Sequence, residues 1–254
     1  MFYEFSNAIV RGPCRRVSEG LGGGSEKPDY NRVRDEHEYY VKLLKRLGLK
    51  VYELKPADKF PDSMFVEDPA FTYGDVAILL NPGTPTRKDE TNLIKGHLKR
   101  IFPKFLSIDQ GSVEGGDVLI LEKEILIGLS SRTNFDGAKA LQSILVDLGY
   151  NGRIVTTPKN VLHFKSECSG LDEETILASP RIASSGLFSG YKIIRTEKNE
   201  FAAGNSLRVN EKLLVPSSCP YTAERLSKNY DVELVKVHEI SKIDAGLSCM
   251  SLRW

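Results

Sequence analysis

A chain of 254 residues, 41% hydrophobic and 27% charged with a formal net charge of +1, has an ordinary globular composition and enough length to bury a large core. The near-neutral balance offers no basic field for a polyphosphate, which sets nucleic acid aside as a partner. No run approaches the roughly 18 apolar residues of a membrane span, and Met1 to Phe5 lacks the basic and apolar parts of a signal peptide, so no membrane partner and a cytoplasmic location are expected.

In chain order, one pattern returns: a short apolar strand, a turn rich in Gly, Pro, Ser or Asn, a helix and another strand. Asn7 to Val10 reads as a strand. It is followed by the turn Arg11-Gly12-Pro13, a glycine-rich stretch from Glu19 to Ser25 that reads as a flexible flap, an amphipathic helix from Asn31 to Leu47 and a strand from Lys50 to Leu54. A second copy has strand Asp75 to Leu80, a turn through Arg87, helix Asp89 to Ile101 and strand Phe105 to Ile108. The third runs through strands Val118 to Leu121 and Glu124 to Ile127, a turn containing Arg132, helix Phe135 to Leu148 and strand Ile154 to Thr157. A poorer fourth copy spans His163 to Arg195. The fifth has strands Ser206 to Val209 and Lys212 to Val215, a helix near Ala223 to Lys228 and a strand Asp231 to Val237. Five units at a period of roughly 40 to 50 residues suggest a repeat architecture. Neither terminal unit resembles a polar cap, so a closed ring over residues 1–254 as a single domain is favoured over an open array. The turns between strand and helix would then face a central cavity.

Several residues could carry chemistry there. Cys14, Cys168, Cys219 and Cys249 are scattered, with no Cys-x-x-Cys pair, and His37, His97, His163 and His238 lack metal-ligand spacing, so no metal is expected and every cysteine should be a free thiol. Arg15 and Arg16 could lower the pKa of Cys14, while His37 and His97 fall among charges on helices and should be solvated. Asp62, Glu67 and Asp68 crowd a short segment whose Met64, Phe65 and Val66 need burial. A buried carboxylate needs a cation or hydrogen-bond donors, so a cationic ligand fits as well as a solvated loop. Glu114 opens a Glu-Gly-Gly-Asp turn ahead of a buried strand. Arg87 and Arg132 hold equivalent places in their units and could grip a carboxylate through their planar forks. His163, on a short apolar run, is by itself more simply a satisfied core histidine.

Taken together, Phe60-Pro61-Asp62-Ser63, Phe65-Val66-Glu67-Asp68-Pro69, Val113-Glu114-Gly115-Gly116-Asp117, Arg132-Thr133-Asn134, Leu162-His163 and Ser248-Cys249-Met250-Ser251-Leu252-Arg253 resemble, in order, the motifs of the dimethylarginine dimethylaminohydrolase family of guanidine-modifying enzymes. The resemblance extends from Asn7 to the C-terminus and is weakest over Ser166 to Gly190. It implies an α/β fold, the five-bladed β/α-propeller or pentein of ββαβ repeats around a central site. By the same resemblance Cys249 is the nucleophile, His163 the general acid and base, and Glu114 the acid that orients the histidine. Asp68 would hold the guanidinium, Glu67 and Asp62 would line the pocket and its α-amine end, and Arg87 and Arg132 would take the substrate carboxylate. Leu21 falls in the substrate-covering flap, and Ile243 near the amino-acid end.

The implied reaction is hydrolysis of a small guanidino substrate, methylated arginine above all, to citrulline and a methylamine through an S-alkylthiouronium, with no cofactor. Arginine deiminase activity uses the same residue set, and a non-enzymatic interaction module of the same fold would not need it. A homodimer is compatible with the sequence but not indicated by it. The segment Leu247 to Leu252 is expected to be the last strand threaded into the ring.

Overall fold

The computed structural model describes residues 1–22, 24 and 26–254; Gly23 and Ser25 of the expected flap lie outside the described residues. Five three-stranded sheets are present, each with an antiparallel pair followed by a parallel third strand. Blade two is Ala70–Tyr73, Val76–Leu79 and Lys104–Ser107, and blade three is Val118–Ile120, Ile125–Leu129 and Gly152–Thr156. Blade four is Cys168–Gly170, Thr175–Ala178 and Lys192–Arg195, and blade five is Leu207–Val209, Lys212–Pro216 and Asp231–Val235. In every blade a helix joins the second strand to the third, as parallel pairing requires a crossover. Middle strands such as Val76–Leu79 and Thr175–Ala178 are buried at every position, which explains why they read as continuous apolar runs.

Blade one is assembled from both ends of the chain. Asn7–Arg11 pairs in parallel with Lys50–Leu54 and antiparallel with Leu252–Arg253, in the register Ala8 opposite Arg253 and Ile9 opposite Leu252. Trp254 locks this closure: its ring packs 5.9 Å from that of Tyr52 and 4.5 Å from that of Phe102, and its carbonyl accepts the N–H groups of Ser6 and Asn7. The expected strand over Leu247 to Leu252 is therefore mostly something else. Ser248–Met250 is a 3-10 turn, and only Leu252–Arg253 enters the sheet.

Local chemistry accounts for the helices. Tyr30–Arg46 begins at Asp29, whose carboxylate accepts the Arg32 N–H, carries Lys45 and Arg46 in its last turn, and buries Val33, His37, Tyr40, Val41 and Leu44 on one face. His37 thus belongs to the core face, contrary to expectation, and burial pushes it down to about 4. Phe135–Asp147 starts at Asn134, whose side chain accepts the Gly137 N–H. The fourth copy looked poor because its helix is one turn, Pro180–Ala183, capped by Ser179. Ala70–Tyr73 has no counterpart among the expected strands; it is a run of four residues that follows Pro69 directly from the acidic turn.

Candidate active site

The turn that bears Cys249 is held from two sides. The Ser248 N–H donates to Asn205 Oδ1 at 3.0 Å and its hydroxyl to Glu67 Oε2 at 3.0 Å, while the Cys249 carbonyl accepts the Glu67 N–H at 3.4 Å. Gly246 makes this clamp feasible, because a Cβ there would stand 2.4 Å from Asn205 Oδ1. Tyr40 Oη meets Ser251 Oγ at 2.7 Å, which ties the far side of the turn to the first long helix.

His163 follows the last strand of blade three. Its Nε2 lies 2.7 Å from Glu114 Oε2, and Glu114 Oε1 in turn accepts the N–H groups of Gly83 at 3.0 Å and Thr84 at 3.4 Å. The neighbouring peptide is fixed by Asp117, which accepts the Phe164 N–H at 2.8 Å and the hydroxyls of Ser130 and Thr133, each at 2.7 Å. Asp68 Oδ1 accepts the Gly116 N–H at 3.2 Å, and its Oδ2 is ion-paired with Arg87 Nη1. Gly116 sits where a Cβ would come within 2.8 Å of the His163 ring and 3.0 Å of Asp68, so only glycine lets all three pack.

Asp68, Glu114 and His163 bring one ligand atom each within 4.8 Å of one another, a cluster compact enough for a cation, and here Arg87, Arg132 and the imidazole supply the positive partners. Burial alone would push His163 down, but Asp68, the Glu114 hydrogen bond and Asp117 outweigh it and raise the imidazole to about 9. Cys249 moves the other way in reactivity: burial, then the charges of Glu67 and Asp68, lift the thiol to about 12. The resting pair at neutral pH is therefore thiol and imidazolium. Burial resists ionisation of Asp68 too, yet Arg87 and His163 hold it below the usual carboxylate range.

A pH dependence of stability follows. The folded His163 binds its proton more tightly than the unfolded one, so its contribution is fully present below about pH 6.5 and is lost as pH rises toward 9. Thermal melts should show Tm falling across that window by the equivalent of about 2–3 kcal/mol, and the His163→Asn protein should be flatter. A wild-type Tm that rises from pH 6.5 to 9 would contradict the assignment.

Eight of the residues singled out in the sequence line a single cavity: Cys249, His163, Asp62, Asp68, Arg87, Arg132, Leu21 and Ile243. Glu114 stands directly behind His163 and is fully buried. Leu21 donates its N–H to Asp62 Oδ1 at 2.9 Å, which seats the flap on an acid that burial has pushed up.

Two expectations need correction. Glu67 does not line this cavity; it is spent on Lys165 Nζ at 2.7 Å, Arg253 Nη2 at 3.3 Å and the Ser248 hydroxyl, behind the turn that bears Cys249. Glu67 and Asp68 are neighbours in a turn, and Asp68 is the one that takes the cavity side. Arg87 is not free to grip a carboxylate through its fork. It donates through Nε and Nη2 to Glu90 at 2.9 and 2.7 Å, through Nη1 to Asp68, and through Nη2 to the carbonyls of Asp62 and Phe65, which leaves at most one N–H. Arg132 is the less committed arginine, bonded through Nη1 to Thr84 Oγ1 at 2.5 Å and to Glu114 at 3.4 Å.

Positioning residues that sequence reasoning missed are Asp117, Thr133, Asn205 and Glu90. Asp117 and Thr133 stood inside quoted motifs, and Glu90 is one helical turn past Arg87, so signals existed for three. Asn205, from a 3-10 segment of blade five, had none. Cys14 was also misjudged: burial raises its pKa despite the flanking arginines. Glu167, beside the histidine in sequence, bonds Ser179 and Arg181 within blade four.

This geometry has close counterparts. The arginine deiminase family profile matches residues 55–214. The N(G),N(G)-dimethylarginine dimethylaminohydrolase of Pseudomonas aeruginosa is 36% identical over 98% of this chain and 100% of its own length, and that of Streptomyces coelicolor 31% identical over 97% and 96%. A solved mutant of the Pseudomonas aeruginosa enzyme complexed with citrulline superposes with a TM-score of 0.96 at 35% identity, covering 99% of this chain and 100% of that one. With five blades, the two-ended closure and this relationship over nearly its whole length, the chain belongs to the dimethylarginine dimethylaminohydrolase family.

Proposed function

We propose that this protein hydrolyses Nω-methylated arginine, dimethylarginine in particular, to citrulline and dimethylamine. The observation that carries the reading is the convergence of Cys249, the His163–Glu114 pair and Asp68 on one cavity. The citrulline complex of the Pseudomonas relative is consistent with the product class.

A guanidinium is a delocalised cation and a poor electrophile, so it needs anions to bind it and a strong nucleophile to attack it. Asp68 supplies the charge. Its partner Arg87 keeps it ionised, while Asp62, with Ile243 beside it, receives the α-amine end and Arg132 the carboxylate, with the last N–H of Arg87 in support. Arrival of the cation beside Cys249 offsets the negative field that holds the thiol up, so binding expels the thiol proton to solvent. The thiolate then bonds to the guanidinium carbon, and His163, already protonated, gives its proton to the dimethylamino nitrogen as that C–N bond breaks. The neutral imidazole next takes a proton from water, and hydroxide adds to the S-alkylthiouronium. Collapse of the adduct, with its hydroxyl proton lost to solvent, returns citrulline and the thiolate, which takes a proton back from solvent as the product leaves. Water is the sole co-reactant, and neither metal nor organic cofactor is invoked.

The lining residues of the site come from segments spread along one chain, which we read as one catalytic domain. The deiminase profile favours unmethylated arginine as the second reading. A product assay separates the two: incubation with asymmetric dimethylarginine, monomethylarginine, arginine and agmatine, with citrulline, ammonia and methylamines measured separately. Dimethylamine and citrulline in equal amounts are expected. Ammonia from arginine at higher kcat/KM would replace the first reading with the second.

A further inference from the structure

The innermost strands of the five blades enclose a second cavity, whose interior measures about 100 Å³ and which opens to solvent at its mouth. It shares no lining residue with the cavity of Cys249, although Glu67 next to Asp68 and Ser248 next to Cys249 form the wall between them. Part of its wall is apolar, with Phe2, Phe71, Leu119 and Leu207 prominent.

The charge in this cavity is unbalanced. Among the described lining residues, Lys165, Arg208 and Arg253 face a single acid, Glu67, and both Lys165 Nζ and Arg253 Nη2 converge on the same oxygen, Oε1, at 2.7 and 3.3 Å. Two buried polar groups here have no partner: Arg253 Nε and the hydroxyl of Ser169, a residue only 9% exposed. A buried donor without an acceptor is uncommon enough in a folded protein to indicate a missing partner. Arg208 is stiffened by the Tyr3 ring, 3.9 Å from its guanidinium carbon, and by the Leu171 carbonyl at 2.6 Å, so it presents its charge without having to be ordered by a ligand.

We propose that this cavity binds an amphipathic monocarboxylate, its anionic head among Lys165, Arg208, Arg253 and Ser169 and its apolar tail along Phe2, Phe71, Leu119 and Leu207. An anion offsets part of the excess of two positive charges that Lys165, Arg208 and Arg253 leave over Glu67, and an apolar body suits the Phe and Leu part of the wall, which would leave a polyanion undersolvated.

Calorimetric titration of the intact protein with sodium octanoate tests this. Saturable one-to-one binding is expected below about 10 mM, with n-octylamine and acetate failing to bind. Arg208→Gln removes a charge and Ser169→Leu fills the cavity; each should weaken octanoate roughly tenfold or more, while Asp62→Asn, across the wall, should not change it. Absence of saturation, equal binding of n-octylamine, unaltered affinity in both cavity variants or loss in Asp62→Asn would each overturn the proposal.

Discussion

Replacing Cys249 by serine is expected to lower kcat by roughly four orders of magnitude or more while leaving arginine-class ligands bound. The pocket charges lie elsewhere: Asp68, Asp62 and Arg132 sit on other segments, and none is hydrogen-bonded to the Cys249 side chain. What changes is the nucleophile. Even sulfur is held up to about 12 by burial and by the charges of Glu67 and Asp68, and must be released by the arriving cation. A hydroxyl starts from a far higher pKa, and the same cation cannot bring it into range. Its proton has no local acceptor either, since His163, raised to about 9, already carries one. Acid quenching of wild type with dimethylarginine, followed by mass spectrometry, should trap an adduct on Cys249, and the variant should show none while calorimetry still reports binding. Appreciable turnover by Cys249→Ser would dismiss the covalent route.

The blade pattern was legible because helices and middle strands are fixed by local periodicity and caps. Asp29, Asn134 and Ser179 each accept an N–H at a helix start. The elements that escaped are those whose conformation is set by distant partners. Ala70–Tyr73 is a strand because Val76–Leu79 pairs with it and the C-terminal segment packs beside it, and Ser248–Met250 is a turn because Asn205 and Glu67 pull its backbone groups to either side. The same division runs through the site. Motif spacing identified which residue types gather, since their chemistry is intrinsic. It could not tell that Glu67 and Asp68 face opposite cavities, or that the fork of Arg87 is already filled by Glu90 and two carbonyls, because those depend on the path of an irregular turn.

Arg87→Ala should be the most disruptive substitution in the acidic half of the site, and its signature differs from that of a carboxylate-binding arginine. The guanidinium is 4% exposed and holds Asp68, Glu90 and the carbonyls of Asp62 and Phe65. Removing it leaves two buried carboxylates without their cation, a loss of about 3–5 kcal/mol and a Tm lower by roughly 10 °C. Glu90 is already pushed up by burial, and Asp68, held down largely by Arg87, would climb in turn, so both should take up protons near neutral pH. A protonated Asp68 no longer attracts a guanidinium, whatever else the ligand carries. Binding of agmatine, which has no carboxylate, should therefore fall together with that of dimethylarginine, and their ratio should stay near the wild-type value. Arg132→Ala should do the reverse, with the ratio collapsing and Tm changing little, because its side chain is partly exposed and bonded mainly to Thr84. Combining Arg87→Ala with Glu90→Gln removes one of the stranded charges and should recover part of the Tm without restoring affinity, since Asp68 still lacks its partner. Retained agmatine affinity in Arg87→Ala, with loss confined to ligands bearing a carboxylate, would return Arg87 to the role its place in the repeat first suggested.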